Sequence, residues 1–373
     1  VVVCESISVS RWHGMAAATR IAGEQEHRHF GLKLFGLLSL IVCTGLLPSQ
    51  REVLNTAKSK TEVSNDSQQI RSIRIQLNWF PDPQFGGFYA AETLGYFDET
   101  GLDVTLIQGG PGVATPQMVA TGEVEFAVVG GDQVLTNRAQ GAPIVAVYAA
   151  YNTYPRAFMV HESAPYRSLD ELWQSDAKVA VEPGLPFVKW MQQRYDGNAL
   201  TLIPSGGGLA SFQRDLTLAQ AVFVTSEPVT MKKRGIPVKI FPVAQSGYNP
   251  YTVVLATNER FLRQHSDVAA KVVSAVRKGW AAYLADPEPI NRRMAELNAD
   301  MTVETMNIGA EISETYVRPP HPLTLGEMTT TRWQSLGLQL KQVGAISGEV
   351  PSAEACFSNV GISHVEGADV DHE

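Results

Sequence analysis

The residues with the clearest chemical potential lie in QLNWFPDPQFGGFYAAETLGY, from Gln76 to Tyr96. Asn78, Trp79, Phe80, Asp82 and Gln84 combine flat apolar faces with hydrogen-bonding groups, a mixture that suits a small, flat, polar ring compound. The same residues could instead form a buried aromatic hinge between a strand and a helix. A second candidate is Glu227, because Ser226-Glu227-Pro228 places a carboxylate where a strand ends and a helix begins. The helix N-terminus favours the ionised form, which could accept hydrogen bonds from an amino-substituted ring or simply cap the helix. Tyr248 and Tyr251, in SGYNPY, read either as an aromatic lid or as packing.

Glycine clusters offer a different chemistry. Gly109-Gly110-Pro111-Gly112 and Ser205-Gly206-Gly207-Gly208 could hold an anion on backbone N–H groups, although tight turns use the same residues. Gly130-Gly131-Asp132-Gln133 and Glu182-Pro183-Gly184 also follow apolar runs. GxSxG, HExxH, P-loop and strand-linked GxGxxG patterns are absent. The three cysteines, Cys4, Cys43 and Cys356, have neither metal-ligand spacing nor the density of a disulfide framework. Of eight histidines, only His161, His265 and His321 fall in the region read as folded, each without a partner pattern. No metal or cofactor is therefore expected.

Elements must position these groups. Ser72 to Trp79 alternates as a strand, with Ile73, Ile75, Leu77 and Trp79 on one face. Pro81 and Pro83 stop it, Gly86 and Gly87 turn the backbone, and Phe88, Ala91 and Tyr96 resume at helical spacing. Leu102–Ile107, Val124–Val129 and Ile144–Tyr148 read as further strands of a parallel sheet. Thr115 is expected as the N-cap of the intervening helix. Ligands in such sheets lie beyond the carboxyl ends of the strands. A second α/β unit begins near Tyr151–Arg156, with strands at Lys178–Val181, Leu200–Ile203, Ala221–Thr225 and Val238–Phe241. Thr252–Ala256 returns as a strand. Helices follow, with Val268, Val272, Val273, Val276 and Trp280 on one face and Ser266 as N-cap.

At 373 residues, 44% hydrophobic and 18% charged, the chain has room for two α/β lobes. Its charge of −8 and lack of a basic track argue against nucleic acid. Leu34–Leu47 is a 14-residue apolar run preceded by Arg28 and Lys33, which reads as a signal h-region or an anchor, with Met15 as the expected start. Cys43 is a candidate for lipidation. The expected organisation is a signal or anchor over 1–50, a tether over 51–71, one lobe from 72–154 plus 256–345, a second over 155–255, and a loose tail over 346–373.

NWFPDPQFGGFYAAETLGYFDETGLDV, then ATGEVEFAVVGGDQV, AQGAPIVAV, VFVTSEP and ATNERFL together resemble the NMT1/THI5-like family. That family unites substrate-binding proteins of bacterial ABC importers with fungal thiamine-pyrimidine synthases. The resemblance covers about Ile73 to Leu284. It implies a type II periplasmic-binding-protein fold, two α/β lobes around a hinged interlobe cleft. Fungal-type enzymes of the family use a pyridoxal-phosphate lysine and a histidine four residues later, where this chain has Val129 and Gln133. They also carry a Cys-rich run where SGYNPY stands. The resemblance therefore implies a binding protein, outside the cytoplasmic membrane, that captures a thiamine-related aminopyrimidine and delivers it to an ABC permease and ATPase. A sulfonate, taurine or nitrate binder is the alternative, and a pyrimidine synthase a more distant one. The expected ligand residues are Asn78, Trp79, Phe80, Asp82, Gln84, Gly109, Gly110, Gly130, Asp132, Gln133, Glu182, Gly207, Glu227, Tyr248 and Tyr251. A monomer is expected, with membrane contact only through the N-terminal segment or the permease.

Overall fold

The computed structural model describes residues 72–195, 199–205 and 208–362. The signal or anchor reading, Met15, Cys43, the tether and Gly207 lie outside them. Two five-stranded mixed sheets carry the architecture.

The first sheet is built from β1 (Ser72–Gln76), α1 (Gly86–Thr93), β2 (Asp103–Ile107), α2 (Thr115–Thr121), β3 (Phe126–Val129), α3 (Gly131–Ala139) and β4 (Ile144–Tyr151). The second is built from β5 (Arg156–His161), α4 (Leu169–Trp173), β6 (Lys178–Val181), α5 (Pro186–Arg194), β7 (Thr201–Pro204), α6 (Ala210–Arg214), β8 (Leu218–Phe223), α7 (Glu227–Lys233) and β9 (Val238–Pro242). The chain then returns to the first sheet as β10 (Thr252–Asn258). Strand orders are β2-β1-β3-β10-β4 and β7-β6-β8-β5-β9.

The first sheet is not all parallel, as the sequence suggested. β1 pairs parallel with β2 and β3, but β10 inserts antiparallel between β3 and β4. The continuous apolar character of β3 and β4 follows from cover on both faces, since every residue of both strands is buried. β5 was missed in the sequence. It is the antiparallel partner of both β8 and β9, and its Ala157 and Phe158 are fully buried.

Three local readings are corrected. β1 ends at Gln76, and Trp79 is 39% exposed instead of sharing the core with Ile73, Ile75 and Leu77. Gly86 and Gly87 do not make the turn; they open α1 and allow close packing. A Cβ would come within 2.1 Å of the Tyr283 ring at Gly86 and 2.2 Å of Trp280 at Gly87. Thr115 and Ser266 are first helical residues, with Ala114 and His265 at the N-cap positions.

The later helices are α8 (Glu259–Gln264), α9 (Ser266–Ala285), α10 (Glu288–Leu297), α11 (Val303–Val317), α12 (Thr330–Gln342) and α13 (Ala353–Cys356). The apolar face of α9, Val268 to Trp280, is buried against α1. Residues 346–362 are packed, contrary to the expected loose tail. Cys356 is buried, Phe357 stacks on Trp333 with ring centroids 6.0 Å apart, and Ser358 N donates to Ala146 O at 2.8 Å. Among the described residues no helix is long and apolar enough to cross a membrane.

Candidate functional site

A cleft of about 650 Å³ opens where strand ends of the two sheets face each other. The loop after β1 contributes Asn78, Trp79, Asp82 and Gln84, while the β3–α3 junction contributes Gly130, Asp132 and Gln133. From the second sheet come Glu182 after β6 and Glu227 at the start of α7.

Local folding fixes several of these groups before any ligand arrives. Asp82 caps a short 3-10 turn over Pro83–Phe85; its Oδ1 accepts from Gln84 N at 3.0 Å and its Oδ2 from Gln84 Nε2 at 2.9 Å. Gln133 Oε1 accepts from Gly130 N at 2.9 Å, and Asp132 Oδ1 from Gln133 N at 2.9 Å. One Glu227 oxygen accepts from Phe223 N at 2.9 Å, so the carboxylate both ties down the strand-to-helix junction and lines the cleft. Two buried polar atoms of lining residues, the Asn78 Oδ1 acceptor and the Thr252 hydroxyl, which can donate or accept, have no hydrogen-bond partner among the described residues.

The remaining candidates among the described residues do not line the cleft. Phe80 is 43% exposed and meets Trp79 edge-on, with centroids 5.5 Å apart. Gly109 supports the β1 loop: its N donates to Trp79 O at 3.0 Å, and a Cβ there would lie 2.3 Å from Leu77 O. Gly110 packs under the Phe80 ring. Tyr248 is fully buried behind Tyr154, their rings 5.8 Å apart. Tyr251 is buried too, and its hydroxyl accepts from Thr329 N at 3.0 Å. Neither tyrosine is a lid.

In their place the structure supplies Tyr154, Arg156, Lys189, Phe223 and Thr252. The sequence marked the YNTYPR segment only as a change of pattern. Arg156 was missed because it begins a strand, whereas ligand groups were sought at strand ends. β5 runs antiparallel to β8, with Arg156 paired to Phe223, so the start of one strand lies at the cleft edge where the other finishes. Thr252 reaches the same edge in the same way at the start of β10.

Four carboxyl groups, Asp82, Asp132, Glu182 and Glu227, thus share the lining with two basic side chains, Arg156 and Lys189. Arg156 Nη2 lies 3.3 Å from Glu182 Oε2. Burial opposes the Arg156 charge, but Tyr154, Glu182, Glu227 and Asp132 around it outweigh that effect and raise its pKa. Burial raises the pKa of Asp132 and of Glu227. It pushes Asp82 up to about 7 against the hydrogen bonds from Gln84, with the Glu227 charge adding to the rise. Trp79, Tyr154 and Phe223 provide aromatic surface. Such a site can stack a flat ring and accept several of its N–H groups.

Val129 and Gln133, where the pyridoxal-phosphate lysine and the histidine of fungal-type synthases would fall, both line the cleft. Val129 offers no amine, and the Gln133 side-chain oxygen is held by Gly130 N, so these positions do not fit a lysine-bound cofactor.

The family model described as NMT1/THI5 like matches residues 82–290, more than half of the chain. The riboflavin-binding protein RibY of Chloroflexus aurantiacus is 23% identical over 260 residues, covering 68% of this chain and 74% of that protein. A formylaminopyrimidine-binding protein of Halalkalibacterium halodurans is 21% identical over 265 residues, covering 69% and 77%. The periplasmic aliphatic sulphonate binding protein SsuA of Escherichia coli superposes with a TM-score of 0.61 at 12% identity, covering 81% of this chain and 96% of that one. The two mixed sheets have the periplasmic-binding-protein fold.

Proposed function

The chain belongs to the NMT1/THI5-like family, and from that premise we propose that it is an extracytoplasmic solute-binding protein of an ABC importer that captures a thiamine-related aminopyrimidine. The observation that carries this reading is the imbalance of the cleft, with four carboxyl groups and the unpartnered Asn78 oxygen against two basic side chains. An amino-substituted ring donates N–H groups to such a lining. A sulfonate or nitrate would add a negative charge to a lining in which carboxyl groups outnumber basic side chains. The relatives that bind formylaminopyrimidine and riboflavin support a nitrogen heterocycle.

In this reading the two lobes, one built on the first sheet (72–151 with 252–362) and one on the second (156–242), close on the ligand about the crossovers at 152–155 and 243–251; the return to the first sheet at Thr252 moves these bounds from the expected 72–154 with 256–345 and 155–255. Trp79, Tyr154 and Phe223 flank the ring. Asn78, Asp82, Asp132 and Glu227 accept from it. Gln84 and Gln133 hold their neighbours in place. Closure presents a surface to a permease and its ATPase. The protein acts as a monomer and converts nothing, in keeping with Val129 and Gln133 at the synthase positions.

A flavin is the second reading. It is favoured by the volume of about 650 Å³, more than one pyrimidine ring fills. Calorimetric titration with formylaminopyrimidine, hydroxymethylpyrimidine, riboflavin, taurine and an alkanesulfonate tests both. Tight binding of a pyrimidine supports the first reading and tight binding of riboflavin the second. Binding of a sulfonate alone overturns both.

A further inference from the structure

Arg332, on α12, lies outside the cleft lining and joins the two segments through which the chain passes between the sheets. Its Nη1 donates to Asn152 Oδ1 at 3.1 Å on the β4-to-β5 crossover. Its Nε donates to Asn249 O at 2.9 Å on the β9-to-β10 crossover. The guanidinium carbon lies 4.0 Å above the Tyr251 ring. The two segments also touch directly, since Tyr154 N donates to Asn249 Oδ1 at 2.7 Å, and Tyr154 lines the cleft. These partners of Arg332 are a carbonyl, an amide and an aromatic face, all neutral. Burial pulls its pKa down. A planar fork with fixed donor directions can bridge two strands in this way, whereas a point charge on a flexible stem cannot.

The strand that follows the second crossover is under strain at its start. Val253, two residues beyond Tyr251, has a φ of 53°. The left-handed region is a genuine outlier for a β-branched residue and persists only where the surroundings over-determine it. On the other side of the first crossover, Asn152 N and Thr153 N both donate to Tyr316 O on α11, at 2.8 and 3.0 Å. The first crossover is thus fastened from two helices, α11 and α12, and the second from α12.

We infer that Arg332 is a positioning residue that latches the two crossovers together and thereby sets the resting angle between the sheets. The inference rests on the reading that ligand is taken up by cleft closure. Loosening the latch lets the crossovers swing without replacing any side chain that lines the cleft.

Arg332→Lys keeps the charge and removes the fork; Asn152→Ala removes one tooth of the clamp and guards against a misfolded first variant. Hydrogen exchange of the Asn152, Thr153 and Tyr154 amides reads the crossovers without any ligand. Small-angle scattering with and without formylaminopyrimidine reads closure. Exchange at these three amides is expected to rise about tenfold or more in Arg332→Lys, and less in Asn152→Ala, with β1 and β3 unchanged. The same variants should show a larger unliganded radius of gyration. Unchanged exchange in both variants, or acceleration spread evenly through β1 and β3, overturns the latch. Absence of compaction in the unaltered protein, when calorimetry shows the pyrimidine bound, overturns the closure reading and with it the functional part of the latch.

Discussion

Replacing Asp82 by Asn should remove one large contribution to the pH dependence of stability. The carboxyl group is 4% exposed, and burial raises its pKa from an ordinary 3.8 to about 7. Because the folded value lies above the unfolded one, the native state binds more protons between these limits. Its contribution is fully present below pH 3.8 and is lost as the pH climbs through 7. At about 1.4 kcal/mol per pH unit, the interval corresponds to about 4 kcal/mol. Asn keeps an oxygen for Gln84 N and places no charge in the same pocket. Urea unfolding of both proteins from pH 4 to pH 8 isolates the effect, because Asp132 and Glu227 titrate in both. The stability of Asp82→Asn relative to the parent should rise by about 4 kcal/mol across that range. With an m-value of about 2–3 kcal/mol per molar urea, the midpoints should move apart by about 1.3–2 M. A difference that stays constant with pH would refute the assignment of Asp82 as a buried carboxyl group without a cationic partner.

Two further outcomes follow from the geometry. Glu227→Gln retains an acceptor for Phe223 N but loses the charge offered to an amino group, so aminopyrimidine affinity should fall by about 1.5–3 kcal/mol, about 10- to 150-fold in Kd, measured by calorimetry; an unchanged Kd removes Glu227 from the site. Gly279→Ala brings a Cβ within 2.0 Å of Gly87 O and 2.8 Å of Ala91 N, forcing α9 off α1. This should cost about 1–3 kcal/mol and lower Tm by about 2–4 °C per kcal/mol, measured by thermal unfolding.

Much of the fold was legible because its signals are local. Period-2 alternation marks β1, continuous apolar runs mark β3 and β4, and helical spacing marks the buried face of α9. The packed segment 346–362 was not legible. Its burial rests on scattered contacts such as Phe357 with Trp333, which leave no period in the sequence. Gly86 and Gly87 were misread for a related reason. A glycine required by a neighbouring helix looks the same in sequence as a glycine required by a turn.

The sequence by itself determined the chemistry offered at the ends of the parallel strands: Asn78, Trp79 and Asp82 after β1, Asp132 after β3 and Glu227 after β8. In each case a strand pattern, alternating for β1 and mainly apolar for β3 and β8, gives way to polar residues. Tertiary structure alone decided that Arg156 and Thr252 join them and that Tyr248 and Tyr251 do not. Strand direction within a sheet is set by pairing across long stretches of chain. Only the antiparallel insertion of β5 and β10 turns the beginnings of those strands toward the edge where the others finish.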